Sequence, residues 1–371
     1  MPKIFILAAE PSADLHGSRL VSALKRKSPA IEIVGWGGQK MASAGAKILK
    51  PLDELAFMGF FEIVRNLPQI LKNFRDFEAH IRSEKPDLVL LMDYPGFNLR
   101  AAKMLNKMGI KPYYYISPQV WAWKENRVRT IRRFIEKIFV ILPFEEAYFK
   151  QHGINAEYVG HPLMEVMNDL SRDADFLARN NLSEEQTIVA VLPGSRAQEV
   201  RRIMPEICRL GKTMRGVTLV VSKVAWLDSS LYGNCEGIRL LDDDTYQLLM
   251  HSRAAIVTSG TATLETALLG IPEVVVYRAN AVSIFLAKKL VKIKYISLVN
   301  LIAGKMVVPE LIQSKANSNE IYEAVTPLIT DGPERDRMIS EFENLRALLG
   351  NKCASENVAN ALLKTLASAK S

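Results

Sequence analysis

"PDLVLLMDYPGFNLR", residues 86–100, runs from an unbroken apolar segment into a turn and then into a helical pattern. Leu88 to Met92 are all large and apolar, which leaves neither face of the segment for water. A strand of that kind belongs to a parallel sheet covered by helices on both sides. The apolar run ends at Asp93, and Pro95-Gly96 turns the chain. The stretch therefore reads as one βα unit.

The same unit recurs along the chain. "KIFILAA" (3–9) reads as a strand and "SADLHGSRLVSALKRK" (12–27) as a helix, with Ser12 or Asp14 able to cap it. "IEIVGWGG" (31–38), "KPYYYIS" (111–117), "KIFVILP" (137–143) and "AEYVGHP" (156–162) are further strands. A polar stretch, "NDLSRDADFLARNNLSEEQ" (168–186), interrupts the alternation. It resumes with "TIVAVLPGSR" (187–196), "VTLVVS" (217–222), "GIRLL" (237–241), "AAIVTSG" (254–260) and "PEVVVYR" (272–278). Alternation in two blocks predicts an α/β protein of two doubly wound parallel sheets, 1–165 and 166–345, with a C-terminal helix over 346–371.

A length of 371 residues suits two domains, and 49% hydrophobic with 24% charged residues excludes a disordered chain. There is no apolar run of eighteen residues and no secretory signal, so a cytoplasmic location is expected. Cys208, Cys235 and Cys353 are widely spaced and read as reduced thiols. No metal-ligand trio accompanies His16 and His161. The net charge of +8 points to an anionic partner. It concentrates in "WKENRVRTIRRFIEK" (123–137) and "IFLAKKLVKIKYI" (284–296), where basic and bulky apolar residues alternate. That mixture suits a membrane surface better than a nucleic-acid groove; a solvated helix face is the competing reading.

Ligands of open parallel sheets sit beyond the carboxyl ends of the strands. Two such edges facing each other would enclose a cleft. In the second half, Gly194, Ser195 and Arg196 follow one strand, and Ser259, Gly260, Thr261 and Thr263 follow another. Small residues at a helix start let a phosphate approach backbone amides, although ordinary capping explains each turn equally. Arg196 can grip phosphate oxygens in a two-pronged contact. Glu265 can take the hydroxyls of a ribose or complement the helix dipole. In the first half, Glu10 and Asp93 stand just past strands, as caps or as functional carboxylates whose pKa burial would raise. Trp121 and Trp123 are either core or a platform, and Met58, Phe60 and Phe61 are either core or an apolar patch for lipid.

Together these segments resemble the lipid-A-disaccharide synthase family. The resemblance rests on "AEPSADLHG", "GWGGQKM", "FMGFFEIV", "MDYPGFN", "YYISPQVWAWKENR", "ILPFE", "YVGHP", "LPGSRAQEV", "SGTATLE" and "YISLVNLIAGKMVVPELIQ", in that order over most of residues 1–313. It implies a GT-B fold of two facing Rossmann-like domains. The implied reaction joins UDP-2,3-diacylglucosamine to 2,3-diacylglucosamine 1-phosphate with inversion, giving a β(1→6) tetraacyl disaccharide 1-phosphate and UDP, with no metal and no cofactor. Another nucleotide-sugar enzyme of that fold, a UDP-GlcNAc epimerase or a MurG-like transferase, is the alternative.

Carried over by position, Asp93 is the candidate base, Glu10 a second one, and Arg196 the charge that meets the departing diphosphate. Gly194, Ser195, Ser259, Gly260, Thr261, Thr263, Glu265 and Asn300 fall on the donor side. Ser12, Asp14, Asn98 and Gln119, with Met58, Phe60, Phe61, Trp121 and Trp123, fall on the lipid-acceptor side. The loop "EPSAD" has Ala13 where the family commonly has glycine, and Val299 replaces a usual proline. The resemblance also implies peripheral attachment to the inner face of the inner membrane. It leaves open whether the last helix crosses to the first domain or to the partner of a homodimer.

Overall fold

The computed structural model describes residues 1–54, 67–121, 126–242, 244–279 and 294–368. It contains two compact units, Met1–Glu165 together with the segment from Asn351 onward, and Val166–Gly350.

The first unit is built on a parallel sheet of β1 (Lys3–Ala8), β2 (Glu32–Gly37), β3 (Lys47–Pro51), β4 (Leu88–Met92), β5 (Tyr113–Tyr115), β6 (Ile138–Val140) and β7 (Ala156–Tyr158). Its order is β3-β2-β1-β4-β5-β6-β7. The unbroken apolar strands have the predicted cause. Phe5, Leu7, Val89 and Leu91 enter one core cluster, and Ile4, Ile6, Ala8, Leu88, Leu90 and Met92 enter the other, so both faces are dry.

Helices α1 (Pro11–Lys27), α2 (Gln39–Ser43), α3 (Leu67–Glu84), α4 (Pro95–Lys107), α5 (Arg127–Phe134) and α6 (Pro143–Gln151) connect these strands. The second unit has a parallel sheet of β8 (Thr187–Leu192), β9 (Val217–Lys223), β10 (Ile238–Asp242), β11 (Ala254–Thr258), β12 (Glu273–Tyr277) and β13 (Glu310–Ile312), in the order β10-β9-β8-β11-β12-β13. Helix α7 (Ala197–Thr213) follows β8, α8 (Thr261–Leu268) follows β11, and α9 (Leu298–Ala303) precedes β13.

Helix α10 (Ala354–Ser368) belongs to the first unit. Val358, Ala359, Leu362 and Leu366 bury against the face that holds Leu20 and Leu24 of α1. Full burial of each such leucine stabilises by about 1.5–3 kcal/mol. The helix is thus held chiefly by apolar contact, with Glu356 pairing to Lys27 at 2.7 Å at its margin.

The expectation of three reduced thiols is corrected here. Cys208 of α7 and Cys235, in the loop before β10, form a disulfide across a Cα–Cα distance of 5.3 Å, and Cys353 is free. The excursion through β9 carries the chain back onto α7, a proximity the sequence spacing does not show. Two short edge strands, β3 and β13, are also absent from the sequence reading. Among the described residues no helix is long and apolar enough to cross a membrane.

Candidate functional site

In each sheet the strand order reverses once. The reversal lies between β1 and β4 in the first unit and between β8 and β11 in the second. Such switch points open a crevice at the carboxyl ends of the two strands. Ala8 pairs with Met92, so Glu10 and Asp93 both stand just past the first switch point. Leu192 pairs with Val257, so Gly194–Arg196 and Ser259–Thr261 both stand just past the second.

At the first switch point, the backbone around Asp93 is strained. Asp93 and Tyr94 adopt φ of 46° and 43°, two successive left-handed residues, neither of them glycine. The surroundings over-determine this conformation. The Asp93 amide donates to the Tyr115 carbonyl at 3.1 Å. The Asp93 carbonyl accepts from the Asn98 amide group at 2.6 Å and from the Tyr114 hydroxyl. Burial pushes the Asp93 carboxyl above the usual carboxylate range, while the Tyr94 backbone N–H opposes part of the rise. Glu10 is at the N-cap position of α1, and its charge reaches the Tyr94 and Tyr114 phenols.

Two acceptor-side candidates are engaged within the chain in this region. Asp14 is buried and accepts from the amides of Gly38 at 2.7 Å and of Lys40 and Met41 at 3.1 Å each. It caps α2 and not its own helix, and a Cβ on Gly38 would come within 2.5 Å of its carboxylate. Asn98 is fully buried and donates to the Met92 carbonyl at 2.9 Å as well as to Asp93, so it clamps the turn from below. Ser12 is exposed near the start of α1, and Gln119 is exposed in the loop after β5.

Trp121 is half-buried; its indole packs edge-to-face on Phe144 and donates to Glu145 at 3.0 Å. Glu145 is a residue the sequence reading did not single out. It is buried and also accepts from Ser117 at 3.1 Å, the Leu142 amide at 3.0 Å and the Ile141 amide at 3.3 Å. It thereby ties the loop after β5 to the start of α6. Burial raises its pKa to about 7 against those four donors. Met58, Phe60, Phe61 and Trp123 lie outside the described residues. His16 and His161 are kept neutral by burial, at about 4 and about 3, and among the described residues no group of side chains could hold a metal ion.

At the second switch point, Gly194 has φ 115°, a conformation that favours glycine, and begins the turn into α7. The amides of Ser195 and Arg196 are met by the chain's own Glu199, at 3.2 and 3.3 Å, where the sequence suggests a phosphate. The Arg196 guanidinium is mostly solvent-exposed and pairs with Glu199 at 3.2 Å. Gly260 is the N-cap of α8 and Thr261 is exposed. The Ser259 hydroxyl donates to the Ile296 carbonyl at 2.9 Å. Glu265 accepts from the Tyr246 hydroxyl at 2.8 Å, and burial raises its pKa.

Two donor-side candidates are engaged within the chain. Thr263 is fully buried and its hydroxyl donates to the Gly260 carbonyl at 2.9 Å. Asn300 is fully buried and uses both ends of its amide. It donates to Val308 O and Glu310, each at 2.9 Å, and accepts from the amides of Val307 at 2.7 Å and Val308 at 3.0 Å. It organises the segment before β13. A further residue missed by the sequence reading is Trp226, which is 68% exposed and donates from its indole to the Ser195 carbonyl at 3.1 Å. An apolar aromatic held in solvent over this turn is a signal available only in three dimensions.

The basic stretch of 123–137 is resolved into two faces from residue 126 onward. Val128 and Ile131 of α5 are buried in the core, and Arg129, Arg132 and Arg133 are exposed. The outward face is therefore cationic, with no apolar side to insert into lipid. Most of 284–296 lies outside the described residues.

Residues 4–363 match the family described as LpxB, lipid-A-disaccharide synthetase. A lipid-A-disaccharide synthase of Syntrophus aciditrophicus is 38% identical over 366 residues, covering 96% of each chain. One from Myxococcus xanthus is 35% identical over 374 residues, covering 98% of each. Among solved structures, the S. aureus MnaA–UDP co-structure superposes with a TM-score of 0.70 at 14% identity, covering 99% of this chain and 97% of that one. The calicheamicin glycosyltransferase CalG4 gives 0.63 at 14%, covering 100% and 99%. These likenesses show the GT-B fold class, which epimerases and glycosyltransferases share.

Proposed function

The chain belongs to the lipid-A-disaccharide synthase family of glycosyltransferases, enzymes of lipid A biosynthesis, and from that premise we propose the reaction that its two switch points carry out. The donor is UDP-2,3-diacylglucosamine, held by the second unit, and the acceptor is 2,3-diacylglucosamine 1-phosphate, held by the first. The Asp93 carboxylate takes the proton of the acceptor 6-hydroxyl as that oxygen attacks the donor's anomeric carbon from the face opposite the diphosphate. One C–O bond forms, the bond to the β-phosphate breaks, and UDP leaves with its electron pair. The product is the β(1→6) disaccharide, with inverted configuration at that carbon.

The observation that carries this reading is the Asp93 turn. A carboxylate held by a strained backbone at the switch point, with its pKa raised by burial, is a better base than a free aspartate. Arg196 and the α7 turn meet the charge that grows on the departing diphosphate. Glu10 has the second claim on the proton. On this reading the exposed Arg129, Arg132 and Arg133 face anionic lipid headgroups, each worth about 1 kcal/mol of attraction near such a surface. The attachment is then electrostatic and salt-sensitive, at the cytoplasmic side of the inner membrane. A further nucleotide-sugar activity is not favoured. The epimerase likenesses are at 12–14% identity and reflect the shared fold, whereas the synthases are far closer in sequence.

Mass spectrometry of products from the two diacyl sugars tests the proposal. A tetraacyl disaccharide 1-phosphate with equimolar UDP is expected. Release of UDP without a disaccharide would overturn it.

A further inference from the structure

A cavity of about 180 Å³ lies in the first unit against the same switch point. Leu7 and Ala9 of the β1 end, Trp36 of β2, Phe74 of α3 and Tyr94 and Phe97 of the β4–α4 turn form much of its wall. Two of these residues fix its position, since Ala9 precedes Glu10 and Tyr94 follows Asp93 in the chain. The hollow lies beside the turn that carries the candidate base and runs between α3 and α4.

Its walls are mostly apolar. Asn73 lines the cavity, but its carbonyl oxygen accepts from Lys50 at 2.8 Å and from Gln69 at 3.3 Å. A cavity of about 150 Å³ lined by aliphatic and aromatic groups takes up benzene, so a hollow of this size and lining suits hydrocarbon. Empty apolar volume lowers stability in proportion to its size. The packing around it is otherwise tight, with Phe74 and Phe97 stacked at 4.2 Å and Trp36, Phe77 and Phe97 in edge contact. Arg100, exposed to solvent, is the charged residue of the lining. A hydrocarbon interior with one cation at its margin matches an anionic amphiphile.

The geometry points to this cavity as the receptor for a segment of one acyl chain of the acceptor, seated so that the sugar hydroxyl lies at Asp93 and an anionic group lies toward Arg100. The inference rests on the proposed acceptor and adds the place where its chain is held. By the benzene comparison, the cavity accommodates a stretch of about six carbons, with the remainder of the chain extending past α3.

Two substitutions fill the cavity from opposite walls. A Cβ at Gly96 meets nothing within 4 Å, so Gly96→Leu can be accommodated by the backbone. Ile70→Trp narrows the hollow from α3. The readout is binding of 2,3-diacylglucosamine 1-phosphate by calorimetry, with long acyl chains and as the 2,3-diacetyl analogue, on full-length proteins with unchanged thermal unfolding. The wild type should bind the long-chain sugar more tightly. Each variant should lose about tenfold or more of that affinity, while its affinity for the diacetyl analogue moves by less than about twofold. Equal affinities of the wild type for the two sugars, or equal losses for both in the variants, would overturn the assignment. Because binding is read without turnover, failure here is separable from failure to make a disaccharide.

Discussion

The side-chain amide of Asn98 holds the carbonyl of Asp93 at 2.6 Å, one turn into the helix that Asp93 precedes. The same nitrogen reaches the Met92 carbonyl at 2.9 Å, so a single buried amide pins both peptides of the left-handed turn. Asn98→Ala removes both of these bonds, leaving the Asp93 carbonyl only the Tyr114 hydroxyl, and should cost about 1–3 kcal/mol of stability. If the clamp positions Asp93, kcat falls further than the loss of folded protein accounts for, while the affinity for UDP is kept. A variant with lowered melting temperature and undiminished kcat would reduce Asn98 to a purely structural role.

Arg196 and Glu199 make opposite predictions. Arg196→Ala removes charge from beside the diphosphate and should weaken UDP binding or slow transfer by about 2–4 kcal/mol. Glu199→Gln removes the negative charge that now rests against the Ser195 and Arg196 amides. UDP should then bind more tightly, because a phosphate no longer displaces an internal anion. Calorimetry on both variants decides the matter; unchanged affinity in both would place the diphosphate away from this turn.

Trp226 offers an optical test of the same turn, since its indole bonds to Ser195 and most of the ring is in solvent. Saturating UDP should change the tryptophan emission of the wild type, and Trp226→Phe should abolish most of that change. An emission change that survives the substitution would assign the signal elsewhere.

Glu273 lies in β12, fully buried, and neither carboxyl oxygen has a hydrogen-bond partner. Burial raises its pKa well above the ordinary carboxylate value. The sign follows from that direction. Its contribution is fully present below the unfolded carboxylate pKa and is lost as pH rises through the folded one. Glu273→Met, beside Met338, should therefore stabilise the protein by about 1–3 kcal/mol near neutrality and by less at pH 5. Denaturant unfolding at two pH values measures it; a gap that narrows with rising pH would contradict the account.

The sheets were legible because burial on both faces writes continuous apolar runs such as Leu88–Met92 and Thr187–Leu192. The edge strands β3 and β13 were not. Each is flanked on one side only, and "KILKP" mixes lysine and proline into a short run. Positions at the strand ends, Glu10, Asp93, Arg196 and Ser259, followed from topology. What a polar residue does there did not follow. Asp14, Asn98, Thr263 and Asn300 have the composition of ligand contacts, yet each makes hydrogen bonds to the chain's own backbone, which no one-dimensional pattern records. Glu145 and Trp226 depend on contacts 24 and 31 residues away in the chain.

The most direct test of the central claim is the pH dependence of kcat/KM for the wild type and for Asp93→Asn, with UDP affinity measured on both. Raised by burial, Asp93 should give the wild type an acidic limb whose midpoint lies above the ordinary aspartate value of about 3.9. The variant should bind UDP normally and show turnover reduced by about a hundredfold or more at every pH. A variant that retains wild-type turnover, with the same acidic limb, would contradict the assignment of Asp93 as the base.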